Sequence, residues 1–194
     1  MSVAAGGPMG IVPLDVALGD ALLQFFRSLP EADRTFIKED VTDPATVRSM
    51  ASAATSRTGR HHRWVAVDGN GEDITGYVAV LPLAGWSDHV GEIRLVVASS
   101  RRGSGLGRAL ARHALVQAVE AGLTKLIVEV VAEQGPSLAL FTGLGFSGEA
   151  LLRDQIRDRD GELRDLMVLA HHVGETWSRM DSVGVADALG EPAD

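Results

Sequence analysis

The apolar positions of this chain follow two different periods. In the first quarter they recur every three or four residues. Leu22, Phe25, Phe26 and Leu29 within Leu18–Leu29 fall on one side of a helix, which Pro30 ends. A second helix is predicted to open at Thr42-Asp43-Pro44, a capping residue before Pro at the first helical position, and to run towards Ser56. From residue 64 the pattern shortens to strands. Trp64–Val67 and Gly76–Val80 are apolar, β-branched runs separated by Asp68-Gly69-Asn70-Gly71, which reads as a hairpin. A strand over 90–97 follows. Residues 106–121 are rich in Ala and Leu, lack Pro and stop at Gly122, so a long helix is predicted. Leu126–Val131 is a strand and Gln134–Phe141 a short helix. Leu151–Arg159 and Leu166–His171 form a second hairpin around Asp160-Gly161. The segment 1–10, rich in Gly and Ala, is expected to be disordered. Residues 11–173 then form a single domain. Residues 174–194, with five acids and one base, are expected to be an acidic helix or tail. There are no internal repeats.

Two helices, three antiparallel strands, helix, strand, helix and two strands are satisfied by one α+β sheet covered by helices. With 194 residues there is enough chain for a substantial core. No apolar run approaches a membrane span, and the N-terminus lacks the basic start and apolar middle of a signal peptide. Cysteine is absent, which excludes disulfides, thiolate catalysis and cysteine metal sites and suits a cytoplasmic location. The net charge of −8 argues against nucleic acid as a partner. That charge is uneven: from Arg94 to Lys125 six bases (Arg94, Arg101, Arg102, Arg108, Arg112, Lys125) face one acid, Glu120. A locally positive segment in an acidic chain suits an anionic ligand.

The positive segment holds Arg102-Gly103-Ser104-Gly105-Leu106-Gly107-Arg108, between a strand and a helix start. Such a turn presents free backbone N–H groups at the positive end of a helix dipole, a place for phosphate or pyrophosphate. Spacing narrows the choice. No Gly-Lys-Ser/Thr follows, which excludes a P-loop, and Arg108 stands where a dinucleotide fingerprint needs its third Gly. The spacing Arg-x-x-Gly-x-Gly is met by Arg102, Gly105 and Gly107.

That spacing resembles the acetyl-CoA loop of the GNAT-type N-acetyltransferases. The second half of the family's pattern follows in order: the strand at 126–131, the helix ending in Phe141, and Gly145-Phe146 at the expected interval. The resemblance covers residues 60 to 172. It implies the GNAT fold, a mixed and mostly antiparallel sheet of six to seven strands, flanked by helices and splayed between strands 4 and 5. Here those are the strands at 90–97 and 126–131. It also implies acetyl-CoA as co-substrate, held by backbone groups of Leu95, Val96 and Val97 and by Arg102, Gly103, Ser104, Gly105, Leu106, Gly107 and Arg108. Glycine suits the turn because a Cβ would hold a phosphate away from the backbone.

Acyl transfer to an amine needs a base for the ammonium proton. Glu92 stands where bacterial protein lysine acetyltransferases carry their glutamate, and Glu129 where ribosomal-protein N-terminal acetyltransferases carry theirs. A carboxylate inside an apolar strand is costly unless paired or open to a cleft. Glu92 is the first candidate, with a salt bridge to Arg94 or Arg101 as its structural alternative; Glu129 is the second, with an edge-exposed carboxylate as its alternative. Gln134 takes the place of the family's usual Asn. Phe141 occupies a position where many members keep a Tyr that protonates the departing thiolate, so solvent would have to do so here. The six histidines show no ligand spacing, and no metal is expected.

The implied activity is acetyl-CoA-dependent N-acetylation of a primary amine by direct attack in a ternary complex. Phe25–Arg34 resembles the opening of bacterial protein lysine acetyltransferase domains, which points to a protein lysine; a small amine is the alternative acceptor. Asp15, Glu31, Asp33, Glu39, Asp40 and Asp43 would favour a cationic acceptor or simply cap and solvate helices. Because of Phe141, the second class of function is a non-catalytic acyl-CoA-binding sensor or interaction module. Oligomeric state is left open.

Overall fold

The computed structural model describes residues 10–54, 62–69, 71 and 73–173. The expected acidic tail at 174–194 lies outside these residues. The elements in chain order are β1 (Gly10–Pro13), α1 (Gly19–Ser28), α2 (Glu31–Arg34), α3 (Pro44–Ser52), β2 (Arg63–Val67), β3 (Ile74–Pro82), β4 (Val90–Val97), α4 (Leu106–Glu120), β5 (Lys125–Val131), α5 (Gly135–Thr142), β6 (Ser147–Arg157) and β7 (Leu163–His172). Short 3-10 turns occupy Val16–Leu18, Gly85–Ser87 and Ser99–Arg101. The seven strands form one sheet in the order β1-β2-β3-β4-β5-β7-β6. The β4–β5 pair is parallel while β1–β2, β2–β3, β5–β7 and β6–β7 are antiparallel, so the sheet is mixed, as expected. The chain divides into two compact units, residues 1–79 with 95–110, and residues 80–94 with 111–194.

In the first unit β1 pairs with β2 and β2 with β3. Strand β1 was not among the predicted elements. Its four residues carry only Ile11 and Val12 between Gly10 and Pro13, too short a run to show a period. Asp15 opens the following turn by accepting the Leu18 N–H at 3.1 Å. Helix α1 buries Leu22, Leu23, Phe25 and Phe26, the face its spacing predicts. Phe26 is fully buried and meets Tyr77 edge-on at 5.5 Å. Burying such a ring contributes about 1.5–3 kcal/mol. Asp43 caps α3 as predicted, accepting from the Ala45 and Thr46 amides at 3.2 and 2.9 Å. These bonds hold its carboxyl below the usual range, the Thr46 hydroxyl being the largest cause. Helix α3 stops at Ser52, short of the predicted Ser56.

In the second unit β7 lies between β5 and β6, each antiparallel to it. The β6–β7 turn is held by Asp158, whose carboxylate accepts from the Asp160 and Glu162 amides and from Arg164 Nε at 2.9 to 3.1 Å. Strand residues alternate between the two faces of a sheet. Pairing of Gly91 with Leu126, and of Leu126 with His171, puts these three on one face. That face is packed: a Cβ at Gly91 would stand 2.6 Å from Leu123 Cδ1. Phe146 stacks on His171 with ring centroids 5.1 Å apart, and Phe141 meets Phe146 edge-on at 5.3 Å. Glu92, Arg94, Ile127 and Glu129 therefore share the opposite face.

Candidate active site

In the first unit, β4 ends at Val97 and the chain turns through Ser99–Arg101 into the glycine-rich segment. The Ala98 amide ties this turn to the Thr75 carbonyl at 2.9 Å. Gly103 has φ +72° and Gly105 φ +87°, in the left-handed region that a side chain disfavours. A Cβ at either would meet nothing within 4 Å, so backbone conformation, not crowding by the protein, demands glycine here. The helical ladder of α4 begins where the Ala109 amide donates to the Gly105 carbonyl at 3.0 Å. The amides of Leu106, Gly107 and Arg108 thus precede that ladder, at the positive end of a fifteen-residue helix.

The side chains of the segment differ in what they can offer. Leu106 is buried at 2% exposure, which leaves its backbone as its means of contact. Ser104 Oγ donates to the Arg101 carbonyl at 2.6 Å. Arg108 is exposed. Arg102 donates through Nη2 to Asp33 Oδ2 at 2.6 Å, an ion pair reaching back to α2. The 69 positions between these two residues leave no local signal, and the sequence did not point to Asp33 as a partner of the loop. Gly76 on β3 lets α4 approach closely: a Cβ there would lie 2.7 Å from Leu110 Cδ1 and 3.5 Å from the Val96 carbonyl oxygen. Leu95, Val96 and Val97 are half-buried at the end of β4.

In the second unit the parallel ladder pairs Val90 with Lys125, Gly91 with Leu126 and Glu92 with Ile127. Strand β4 runs on to Val97, five residues past the last of these pairs. Glu92 is buried at 7% exposure, and Arg94 grips it with Nε on Oε1 at 3.0 Å and Nη2 on Oε2 at 3.2 Å. Two residues apart on a strand, the side chains share a face, which makes the bidentate fork possible. This is the salt bridge named as the structural alternative for Glu92. Glu129 lies on the same face, half-buried, beside Val168 of β7.

Gln134 precedes α5 and its side chain makes no capping bond to the helix. Phe141 is buried at 3% exposure. Its ring belongs to the cluster with Phe146 and His171, on the face opposite Glu92 and Glu129. Among the described residues no group of three or more His, Cys, Asp or Glu could hold a metal ion, and no helix is long and apolar enough to cross a membrane.

The chain is similar to known proteins in sequence and in fold. Residues 23–146 match the family model described as the acetyltransferase (GNAT) family. N-acetyltransferase 8F1 of Rattus norvegicus is 35% identical over 86 residues, 43% of this chain and 38% of that protein. Streptothricin acetyltransferase of Streptomyces lavendulae is 35% identical over 84 residues, 43% of each chain. The matched region thus spans about four tenths of the length of these curated relatives. Among solved structures, yncA from Salmonella typhimurium with its cofactor acetyl-CoA superposes with a TM-score of 0.72 at 20% identity, covering 85% of this chain and 94% of that one. The ribosomal-protein-S5-alanine acetyltransferase of Vibrio fischeri gives 0.74 at 14% identity over 84% and 92%. At such identities the likeness is one of fold, and it is the GNAT fold, with its parallel β4–β5 pair in a mixed, open sheet. A family that uses acetyl-CoA as acyl donor accounts for a glycine turn set before a long helix, and with the match over residues 23–146 the chain belongs to it.

Proposed function

We propose that this chain transfers an acetyl group from acetyl-CoA to a primary amine. The observation that carries the reading is the turn at Gly103 and Gly105, whose left-handed backbone leads into the unladdered amides of Leu106, Gly107 and Arg108. These groups take the pyrophosphate, with Arg108 adding charge and Arg102 doing so once exchanged from Asp33. The backbone of Leu95, Val96 and Val97, beyond the last of the β4–β5 pairs, takes the pantetheine arm and the thioester oxygen. Gln134 supplies an amide at the start of α5.

The acceptor nitrogen, neutral at attack, forms the new C–N bond to the acetyl carbon. The C–S bond breaks with its electron pair moving to sulfur, and the thiolate takes a proton from solvent. The proton lost by nitrogen goes to a carboxylate, directly or through water. We assign that role to Glu129. Both oxygens of Glu92 are already engaged by Arg94, and to take a proton Glu92 would have to give up part of that fork. Glu129 is the less buried of the two. Glu92 with Arg94 then acts as a fixed charge pair on the same face.

Calorimetry with acetyl-CoA, paired with release of coenzyme A in the presence of primary amines, tests this reading. Gly105→Val should weaken acetyl-CoA binding at least tenfold, about 1.4 kcal/mol. An unchanged affinity in a folded Gly105→Val protein removes the turn from the site. Phe141, buried and without a hydroxyl, favours a second reading, a non-catalytic acyl-CoA-binding module. Tight acetyl-CoA binding with no coenzyme A release for any amine would establish that one instead.

A further inference from the structure

Strand β6 ends the sheet, so among the described residues one side of its backbone has no neighbouring strand. Most of the strand is exposed, and its middle is apolar: Leu151 is 48% and Leu152 38% exposed. Leu151 pairs with Met167 and Leu152 with Leu166, so the two leucines point to opposite faces. An exposed edge adds a strand from another chain unless charge, proline or a bulge prevents it. In β6, bulges do so on both sides of the leucines. The ladder with β7 passes over Glu149 between Gly148 and Ala150, and Arg153, Asp154 and Gln155 together face Asp165. Asp154 has φ +53°, and its amide donates to Asp165 Oδ1 at 2.9 Å. The regular part of the edge between the bulges is Ala150-Leu151-Leu152, its apolar part.

The centre of that stretch is Leu151. Antiparallel pairing of two copies about a two-fold axis there sets Leu151 against the partner's Leu151. Ala150 then meets the partner's Leu152, small against large on both sides of the axis, and Glu149 meets the partner's Arg153. A slip of one residue sets Glu149 against the partner's Asp154 in one direction and against the partner's Leu152 in the other. The centred register is the one that opposes unlike charges. Glu149 already accepts from Lys125 Nζ at 2.6 Å. In the centred register Gly148 lies opposite the partner's Asp154, so Lys125, Glu149, the partner's Arg153 and the partner's Asp154 bring two charges of each sign together. This match needs the same sequence running both ways, which an unrelated peptide does not supply.

We propose that the β6 edge is the contact surface between two copies of this chain, an antiparallel strand pair centred on Leu151. The two-fold axis uses up both β6 edges and the bulges end the pairing on either side, so assembly through this edge stops at a dimer.

The test uses the full chain. Sedimentation equilibrium should give twice the monomer mass as concentration rises. Leu151→Arg places like charges on the axis and Arg153→Glu opposes the partner's Glu149. Each should raise the dimer dissociation constant at least tenfold with circular dichroism unchanged. Leu163→Ser, at an exposed leucine of β7 outside the pairing, should leave the constant as it is. The chain has no cysteine, so Leu151→Cys reports the axis directly. Opposed Cα atoms of an antiparallel pair lie about 4.5–5.5 Å apart, within the reach of a disulfide, and mild oxidation should link the two copies. Trp86→Cys, at an exposed residue of the turn Gly85–Ser87, should stay unlinked. A monomer at every concentration would overturn the proposal and leave the edge to a different partner. So would a dimer that Leu151→Arg and Arg153→Glu leave intact, a dimer broken by Leu163→Ser, or equal cross-linking from Leu151→Cys and Trp86→Cys.

Discussion

Arg94 holds both carboxylate oxygens of Glu92, at 3.0 and 3.2 Å, from two residues further along β4. The pair is largely buried, with side-chain exposures of 24% for Arg94 and 10% for Glu92. Removing one partner of such a pair leaves the other charge uncompensated. Glu92→Gln should therefore lower stability by about 1–3 kcal/mol, less than a fully buried pair would lose because Arg94 reaches water. Its turnover, measured below its melting temperature, should stay within tenfold of the parent. Glu129→Gln should lose about 10²-fold or more with acetyl-CoA affinity unchanged. A dead Glu92→Gln beside an active Glu129→Gln would return the base role to Glu92.

Asp33 holds Arg102 in an ion pair, and under the proposed reading it competes with the cofactor's phosphate for that guanidinium. The 2.6 Å pair is half exposed on the Arg102 side, so its own worth is under about 1 kcal/mol. Asp33→Asn frees the guanidinium and removes a negative charge near the turn. Acetyl-CoA affinity should rise about two- to fivefold at low ionic strength, and the gain should shrink as salt is added. Weakening by tenfold or more would instead make Asp33 the residue that aims Arg102.

His171 gives the fold a titration of known sign. Its ring is buried, Nδ1 lies 3.3 Å from the Gly145 carbonyl, and Nε2 is buried without a hydrogen-bond partner. Burial, the largest cause, lowers its pKa below the ordinary value near 6.5, against the Gly145 carbonyl, which raises it. The folded state thus keeps His171 neutral where the unfolded chain already binds a proton. Stability is complete above pH 6.5, falls as pH drops towards the depressed folded value, and is flat below it. Denaturant melts at pH 8 and pH 5.5 should show a smaller loss for His171→Gln than for the parent. Identical losses would place the acid sensitivity elsewhere, His113 being another histidine lowered by burial.

Much of this was readable from residue order. Helical period located α1, α3 and α4, short apolar runs located β2 to β5 and β7, and β6, exposed along most of its length, was marked by the Asp-Gly turn beside it. The glycine spacing at 103–107 marked a turn where two residues do adopt positive φ. Pairing across long separations was not readable. Nothing local joins Asp33 to Arg102, and β1 is too short to carry a period, its place beside β2 being decided by the sheet. The Glu92–Arg94 fork was half visible, since opposite charges two apart on a strand share a face, but its bidentate geometry depends on the fold.

Phe141→Tyr separates a cleft position from a core position for residue 141. Phe141 is 3% exposed, meets Phe146 edge-on, and lies on the face of the sheet opposite Glu92 and Glu129. A phenolic hydroxyl placed within that cluster loses water and needs a partner; without one it costs about 1–3 kcal/mol. For a chain of this size the melting temperature should then fall by roughly 3–10 °C. Turnover should not rise, since a hydroxyl held among Phe146 and His171 does not reach the thiolate. Thermal unfolding and steady-state rates on the one variant decide it. An unchanged melting temperature with faster coenzyme A release would show that residue 141 reaches the thioester and that breakdown of the acyl-transfer intermediate limits the parent. A lower melting temperature with an unaltered rate would make Phe141 a core ring and leave thiolate protonation to solvent.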